Sequence, residues 1–306
     1  MPKQPRYLPI EQILFASGQP RSRELPKTVY KGLICKLTIN HTNGASPVIS
    51  ADSFLNVLSK LNLVINGQDQ LMSVPIRHWF YQNNYDFTRL VAGNQVSLFT
   101  TVSSTGNSVV WFYIPIALTR SLNPEDGVLD ARGFKSLMLE ANWGTTIGTG
   151  VTTLNSGQLD IFTDEYSNVD ENFAGGRHEI NVSSRNLDAV SSRTLELETK
   201  SNNQYRRLFI YTRDSTGALS DAQIDNIIVR SRSFNYVNIK ADSLQRANGW
   251  DFARDHQTGL YVIDFTRDGK MTQRVDAREL SELIVEVNSL VLNGTIDIVK
   301  EKVIFA

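Results

Sequence analysis

The chain has 306 residues, with 31 Lys and Arg against 32 Asp and Glu and a formal net charge of −1. That length accommodates about two domains with sizeable cores, and the charge balance excludes a global field for nucleic acid or an anionic membrane. Cys35 is the only cysteine, which excludes an intrachain disulfide and a thiolate metal site and suits folding in a reducing cytoplasm.

Residues 1–29 read as an N-terminal arm. Lys3, Arg6, Arg21, Arg23 and Lys27 outweigh Glu11 and Glu24 there. Pro9 suits the first turn of a short helix with Ile10, Ile13 and Leu14 on one face, and Pro20 and Pro26 keep the remainder extended. Two readings stand: a terminus packed on its own domain, or an arm that grips a neighbouring subunit or an underlying layer. LPIEQILFA is interrupted by Glu11 and Gln12, so no secretory leader is expected. VVWFYIPIAL falls far short of the ~20 apolar residues of a spanning helix.

Residues 30–166 read as a first domain of successive strands. Leu33, Cys35, Leu37 and Ile39 alternate with Lys36, Thr38 and Asn40, the period of a half-buried strand, and this makes Cys35 a core residue. A turn, HTNGAS, follows. LNLVING is a second strand ending in an Asn-Gly turn signal. VPIRHWFYQNNYDF suits a short helix. Val109 to Leu118 is a strongly apolar strand in which Pro115 argues for an edge or a bulge. LDARGFKSLMLEAN reads as a polar turn followed by a strand. After the Gly/Thr-rich loop NWGTTIGTGVTTLNSG, the domain closes on QLDIFTDEY. Residues 167–190, containing Gly175 and Gly176, read as a polar linker in which EINV is a short extended piece. Residues 191–306 form a second domain.

That second domain repeats the first. LDARGFKSLMLEAN (129–142) recurs as VDARELSELIVEVN (275–288), identical at six of fourteen positions, including Asp130/Asp276 and Arg132/Arg278. The order of the other segments is kept. YRRLFIYT follows YKGLICKLT, DNIIVR follows NLVING, SLQRANGWDF follows WFYQNNYDF, GLYVIDFTR follows WFYIPIALTR, and GTIDIVKEKV follows GQLDIFTDEY. Each repeat exceeds 100 residues, too long for a solenoid or propeller unit. Short strands, turn clusters and one or two short helices fit an antiparallel sandwich. The fold expected is all-β: two tandem eight-stranded jelly-roll sandwiches with a few short helices and an N-terminal arm.

Catalytic chemistry finds little support. His41, His78, His178 and His256 are scattered and fit no metal-ligand spacing. They read as solvated or locally bonded, His41 in a turn and His178 in the linker. Asp130, Arg132, Asp276 and Arg278 recur because the fold recurs: a carboxylate capping a turn or pairing with its Arg, with a subunit contact through Arg132 or Arg278 as the other reading. WGTTIGTG lacks phosphate-loop spacing and any Lys. Arg206, Arg207, Arg230 and Arg232 are too few for a nucleic-acid motif. Asp164, Glu165, Asp170 and Glu171 lack calcium-loop spacing and read as a solvated acidic turn. No catalytic, cofactor or metal residue is assigned.

The repeated units, LNLVINGQDQ followed by an aromatic helix and YDF, then NPEDGVLDARGFKSLMLEAN, then the closing strand, resemble the double jelly-roll major capsid proteins of tailless icosahedral phages of the corticovirus and tectivirus types. The likeness covers roughly residues 31–306. It implies a structural coat protein, not an enzyme, whose homotrimers form pseudo-hexagonal blocks that tile an icosahedral virion shell. It further implies a vertex (penton) protein as partner, an internal membrane as a possible one, and no sequence-specific nucleic-acid binding. Lys3, Arg6, Arg21 and Arg23 become candidates for contact with neighbours or anionic lipid, and Gly93–Ser108 and Trp143–Gly157 candidate exposed loops. The competing readings are a tandem carbohydrate-binding or adhesive module using Trp143, Tyr166 and Trp250, with core packing the alternative for Trp250, and a two-domain cupin metalloenzyme.

Overall fold

The computed structural model describes residues 4–48, 55–87, 106–123, 125–145, 149–169, 177–199, 203–232, 234–253 and 256–304. The chain divides into two compact units, Met1–Thr119 with Asn123–His178, and Arg120–Leu122 with Glu179–Ala306.

The first unit contains β1 (Gln4–Leu14), β2 (Pro20–Glu24), β3 (Val29–Val48), β4 (Leu58–Ile65), β5 (Asp69–Val74), helix α1 (Ile76–Asp86), β6 (Gly106–Pro115), β7 (Leu129–Asp130), β8 (Leu137–Trp143) and β9 (Thr149–Ser167). One sheet runs β1-β9-β3-β6, with the two-residue β7 also on β3; the other runs β5-β4-β8-β2. Apart from the β4–β5 hairpin, successive long strands alternate between the sheets, the Greek-key winding of a jelly roll. The period-two pattern fixes which side chains meet inside: Leu33, Cys35 and Leu37 of β3, Val110 and Phe112 of β6, Leu137 and Leu139 of β8 and Leu159 and Ile161 of β9 are buried. Between them Lys36, Met138 and Asp160 are half-buried. Pro115 ends β6, an edge strand, where a missing N–H costs the sheet least.

The second unit contains β10 (Arg177–Leu187), β11 (Ser192–Leu197), β12 (Gln204–Arg213), β13 (Ile224–Ser231), β14 (Phe234–Lys240), helix α2 (Ala241–Phe252), β15 (Leu260–Asp264), β16 (Val275–Asp276), β17 (Leu283–Ser289) and β18 (Gly294–Ile304). Its orders are β10-β18-β12-β15, with β16 on β12, and β14-β13-β17-β11. Strand for strand this is the order of the first unit. Tyr205, Leu208, Ile210, Ile227, Val229, Leu283, Val285, Val287, Ile296 and Ile298 form its core.

The irregularities repeat as well. The pairing slips between Tyr30 and Gly32 on β9 and between Tyr205 and Arg207 on β18. It slips again between Leu63 and Val64 on β5 and between Val229 and Arg230 on β14. A bulge re-aims the side chains around it, so one kept at the same place in both copies belongs to the fold.

Several sequence expectations are corrected. The arm expected over residues 1–29 is instead largely β1 and β2, which complete the two sheets by pairing with β9 and β8. The helix expected after Pro9 is strand, because an edge of the sheet needed a partner and Pro is tolerated there. The linker expected over 167–190 supplies β10 from Arg177 onward, the counterpart of β1. HTNGAS is not a turn: β3 continues to Val48. Of the two expected exposed loops, 93–105 and 146–148 lie outside the described residues, while 106–108 belong to β6 and 149–157 to β9. Asp170, Glu171, Gly175 and Gly176 also lie outside.

Candidate functional site

The feature that the sequence repeats most faithfully is the turn after β7 and β16. Val29 pairs with Asp130, and Gln204 with Asp276. The Ala131 N–H donates to Thr28 O at 2.9 Å, and Ala277 N–H to Asn203 O at 3.1 Å. Asp130 Oδ1 accepts from the Arg132 backbone N–H at 3.0 Å and from its Nε at 2.9 Å, and Oδ2 accepts from Nη2 at 2.6 Å. Asp276 Oδ1 accepts from the Arg278 N–H at 3.1 Å and its Nε at 2.9 Å, and Arg278 Nη2 donates to Oδ2. The guanidinium hydrogen bond holds each carboxyl below the usual carboxylate range. A carboxylate so pinned by its own turn is a brace, not a proton carrier. Arg132 also donates to Val169 O at 3.1 Å.

The basic residues assigned to the arm are divided by the structure. Arg6 Nε donates to Glu165 Oε1 at 2.7 Å, and Glu165 is buried. Arg23 pairs with Glu11 and donates to Gln12 O at 3.2 Å. Arg21 is exposed on β2. Lys3 lies outside the described residues.

Among the described residues no three His, Cys, Asp or Glu side chains gather to hold a metal ion, and no helix is long and apolar enough to cross a membrane. His41 lies within β3, not in a turn, and is buried, its Nδ1 2.8 Å from Asn43 Oδ1 and its Nε2 3.0 Å from Ser108 Oγ. His178, in β10, is buried with Nδ1 2.9 Å from Ile116 O. His78 is buried in α1, and half-exposed His256 lies 3.7 Å from Asp221. Burial raises the Cys35 thiol far above its usual value. Asp164 and Glu165 are buried in β9, which corrects the acidic-turn reading. The cleft of about 470 Å³ lined by Arg120, Asp251, Phe252 and Arg267 has its charges matched internally: Arg267 pairs with Asp251 at 2.5 Å, and Arg120 donates to Asp251 O at 3.0 Å.

Sequence reasoning missed two paired devices. Asn83 on α1 accepts from the Tyr113 N–H at 2.6 Å and donates to Tyr113 O at 2.8 Å. Asn248 on α2 does the same to Val262, at 2.8 and 2.7 Å. Each amide clips the helix to β6 or β15. Aligning WFYQNNYDF with SLQRANGWDF superposes the two Asn, so the signal was present. The second is ionic: Glu301, fully buried, accepts from Arg206 Nη1 at 2.6 Å and pairs with Arg207 Nε, both guanidiniums being buried as well. Arg230 lies 3.3 Å from Glu286. The aromatic expectations also change. Trp143 is buried, whereas Trp250, for which core packing was the alternative, is 84% exposed.

Two jelly rolls of one strand order, braced by matched turns and without a gathered reactive cluster among the described residues, define a double jelly-roll protein. Residues 190–303 match the family model described as viral coat protein P2 C-terminal domain. The fold is similar to the major capsid protein P2 of bacteriophage PM2, with a TM-score of 0.71, 12% identity, and 99% of this chain and 98% of that chain covered. It is similar to the STIV major capsid protein, from Sulfolobus turreted icosahedral virus, at TM-score 0.75 and 13% identity over 98% and 97% of the chains. It is also similar to the PBCV-1 virus capsid protein, at 0.72 and 9% over 99% and 94%. No curated protein matches by sequence.

Proposed function

We propose that this protein is a major capsid protein that serves in the virion shell after folding in the host cytoplasm. The observation that carries the reading is the strand order used twice in one chain, together with the coat-protein family match over residues 190–303. A homotrimer of such a chain presents six similar lobes, a near-hexagonal block that packs without gaps into an icosahedral lattice. Neighbouring trimers, a vertex protein and an internal membrane are its partners in this reading. Arg6 and Arg23 already hold carboxylates of their own unit, so contact with neighbours or anionic lipid falls to Arg21 and Lys3. Near-neutral net charge suits subunits that pack closely.

Light scattering on the purified protein tests this: three chain masses are expected, with hexagonal outlines in electron micrographs. A stable monomer at all concentrations overturns the reading.

A further inference from the structure

The two units hold the same surface in opposite conditions. From Asp69 to Phe87 and from Phe234 to Phe252 the repeats align at one constant offset of 165 residues. Hairpin bulge, helix start and Asn clamp all coincide. In the first unit this surface is covered: Leu71, Met72, Val74 and Tyr85 are buried. In the second it is bare. Phe234 is 59% exposed and Trp250, the equivalent of Tyr85, is 84% exposed, against 1% for Tyr85. Tyr236, Val237 and Ile239, the equivalents of Leu71, Met72 and Val74, are half-exposed.

The first strand shows the inverse. β10 is half-buried or buried from Arg177 to Ser183, whereas its counterpart β1 is exposed nearly throughout, with Tyr7 at 60% and Leu14 at 58%. Thus each unit has one covered and one bare copy of two surfaces, and the bare ones are on different units. Trp250 stands one helical turn from exposed Arg246, and Trp and Arg dominate the anchors of protein interfaces.

We infer that the β14–α2 face of one copy docks onto the β1 face of a second copy, with Trp250 and Phe234 packing against Tyr7, Leu8 and Leu14. The contact is head-to-tail, so it closes into a ring when the rotation allows. Pro5 and Pro9 remove N–H donors from β1, which makes side-chain packing, not sheet extension, the mode of contact. The inference rests on the coat-protein reading only for the number of copies in the ring.

Two variants test it: Phe234→Ser with Trp250→Ala, and Tyr7→Ser with Leu14→Ser. All four side chains are exposed, and circular dichroism with a urea midpoint equal to wild type verifies the fold. In sedimentation velocity each variant alone is expected to raise the dissociation concentration at least tenfold. An equimolar mixture is expected to yield dimers, since one intact pair of faces remains. Wild-type oligomers from either variant, or a mixture without dimers, overturn the inference while leaving the coat reading intact. Wild-type rings of another number, with dimers in the mixture, support the inference and sink the coat reading.

Discussion

Glu301 sits without exposed surface between the guanidiniums of Arg206 and Arg207. Removing one member of such a group leaves buried charge uncompensated, so Glu301→Gln is expected to cost ~3–5 kcal/mol, read as a fall in the urea midpoint. Its equivalent, Asp164, has a different environment: Tyr113 Oη donates to Oδ2 at 2.9 Å. Burial pushes the Asp164 carboxyl up, against Lys31 and that hydroxyl. A raised carboxyl contributes stability that is full below its unfolded value and lost as pH rises through the folded one. Asp164→Asn is therefore expected to leave stability near neutral pH unchanged or higher, and to flatten its decline between acid and neutral solution. Asp130 and Asp276 carry the opposite sign, because Arg132 and Arg278 lower them. Their contribution is present above the unfolded carboxylate value and lost as pH falls through the folded one. Asp130→Asn should cost ~0.2–1 kcal/mol above about pH 5, measured by the same titration, and Asp276→Asn less, since Asp276 is the more exposed.

Each helix is tied down at the scale of the element by one amide. Asn83 and Asn248 are buried, and each satisfies both the N–H and the C=O of one residue in β6 or β15. Truncation orphans those groups, so Asn83→Ala and Asn248→Ala are expected to cost about 1–3 kcal/mol each. Hydrogen exchange at the Tyr113 and Val262 amides should rise with each loss. Unchanged protection there refutes the clamp. The edge strands follow another logic. β1 carries two prolines and charged ends, the composition of an arm, and becomes strand because β9 presents an unpaired ladder to it. Propensity is weak where tertiary pairing is available.

The whole molecule is one design used twice. In the proposed ring the surfaces bare in one chain are covered by the next, which predicts an optical signature. Trp79 and Trp143 are buried and Trp111 is 37% exposed, so Trp250 dominates the solvent-exposed indole. Fluorescence should shift to shorter wavelength on assembly of the wild type, and much less for Trp250→Phe. An equal shift in both places Trp250 outside the contact.

The sequence by itself determined the all-β class, the duplication, the matched turns at Asp130–Arg132 and Asp276–Arg278, and the two helices. All of these are carried by local period or by self-similarity, which survive without coordinates. Only the tertiary structure decided that residues 4–24 and 177–197 are strands, since their pairing partners lie far away in sequence. It also decided which aromatic is buried, Trp143, and which is bare, Trp250. Burial belongs to the neighbours that folding brings together, and no residue carries that information alone.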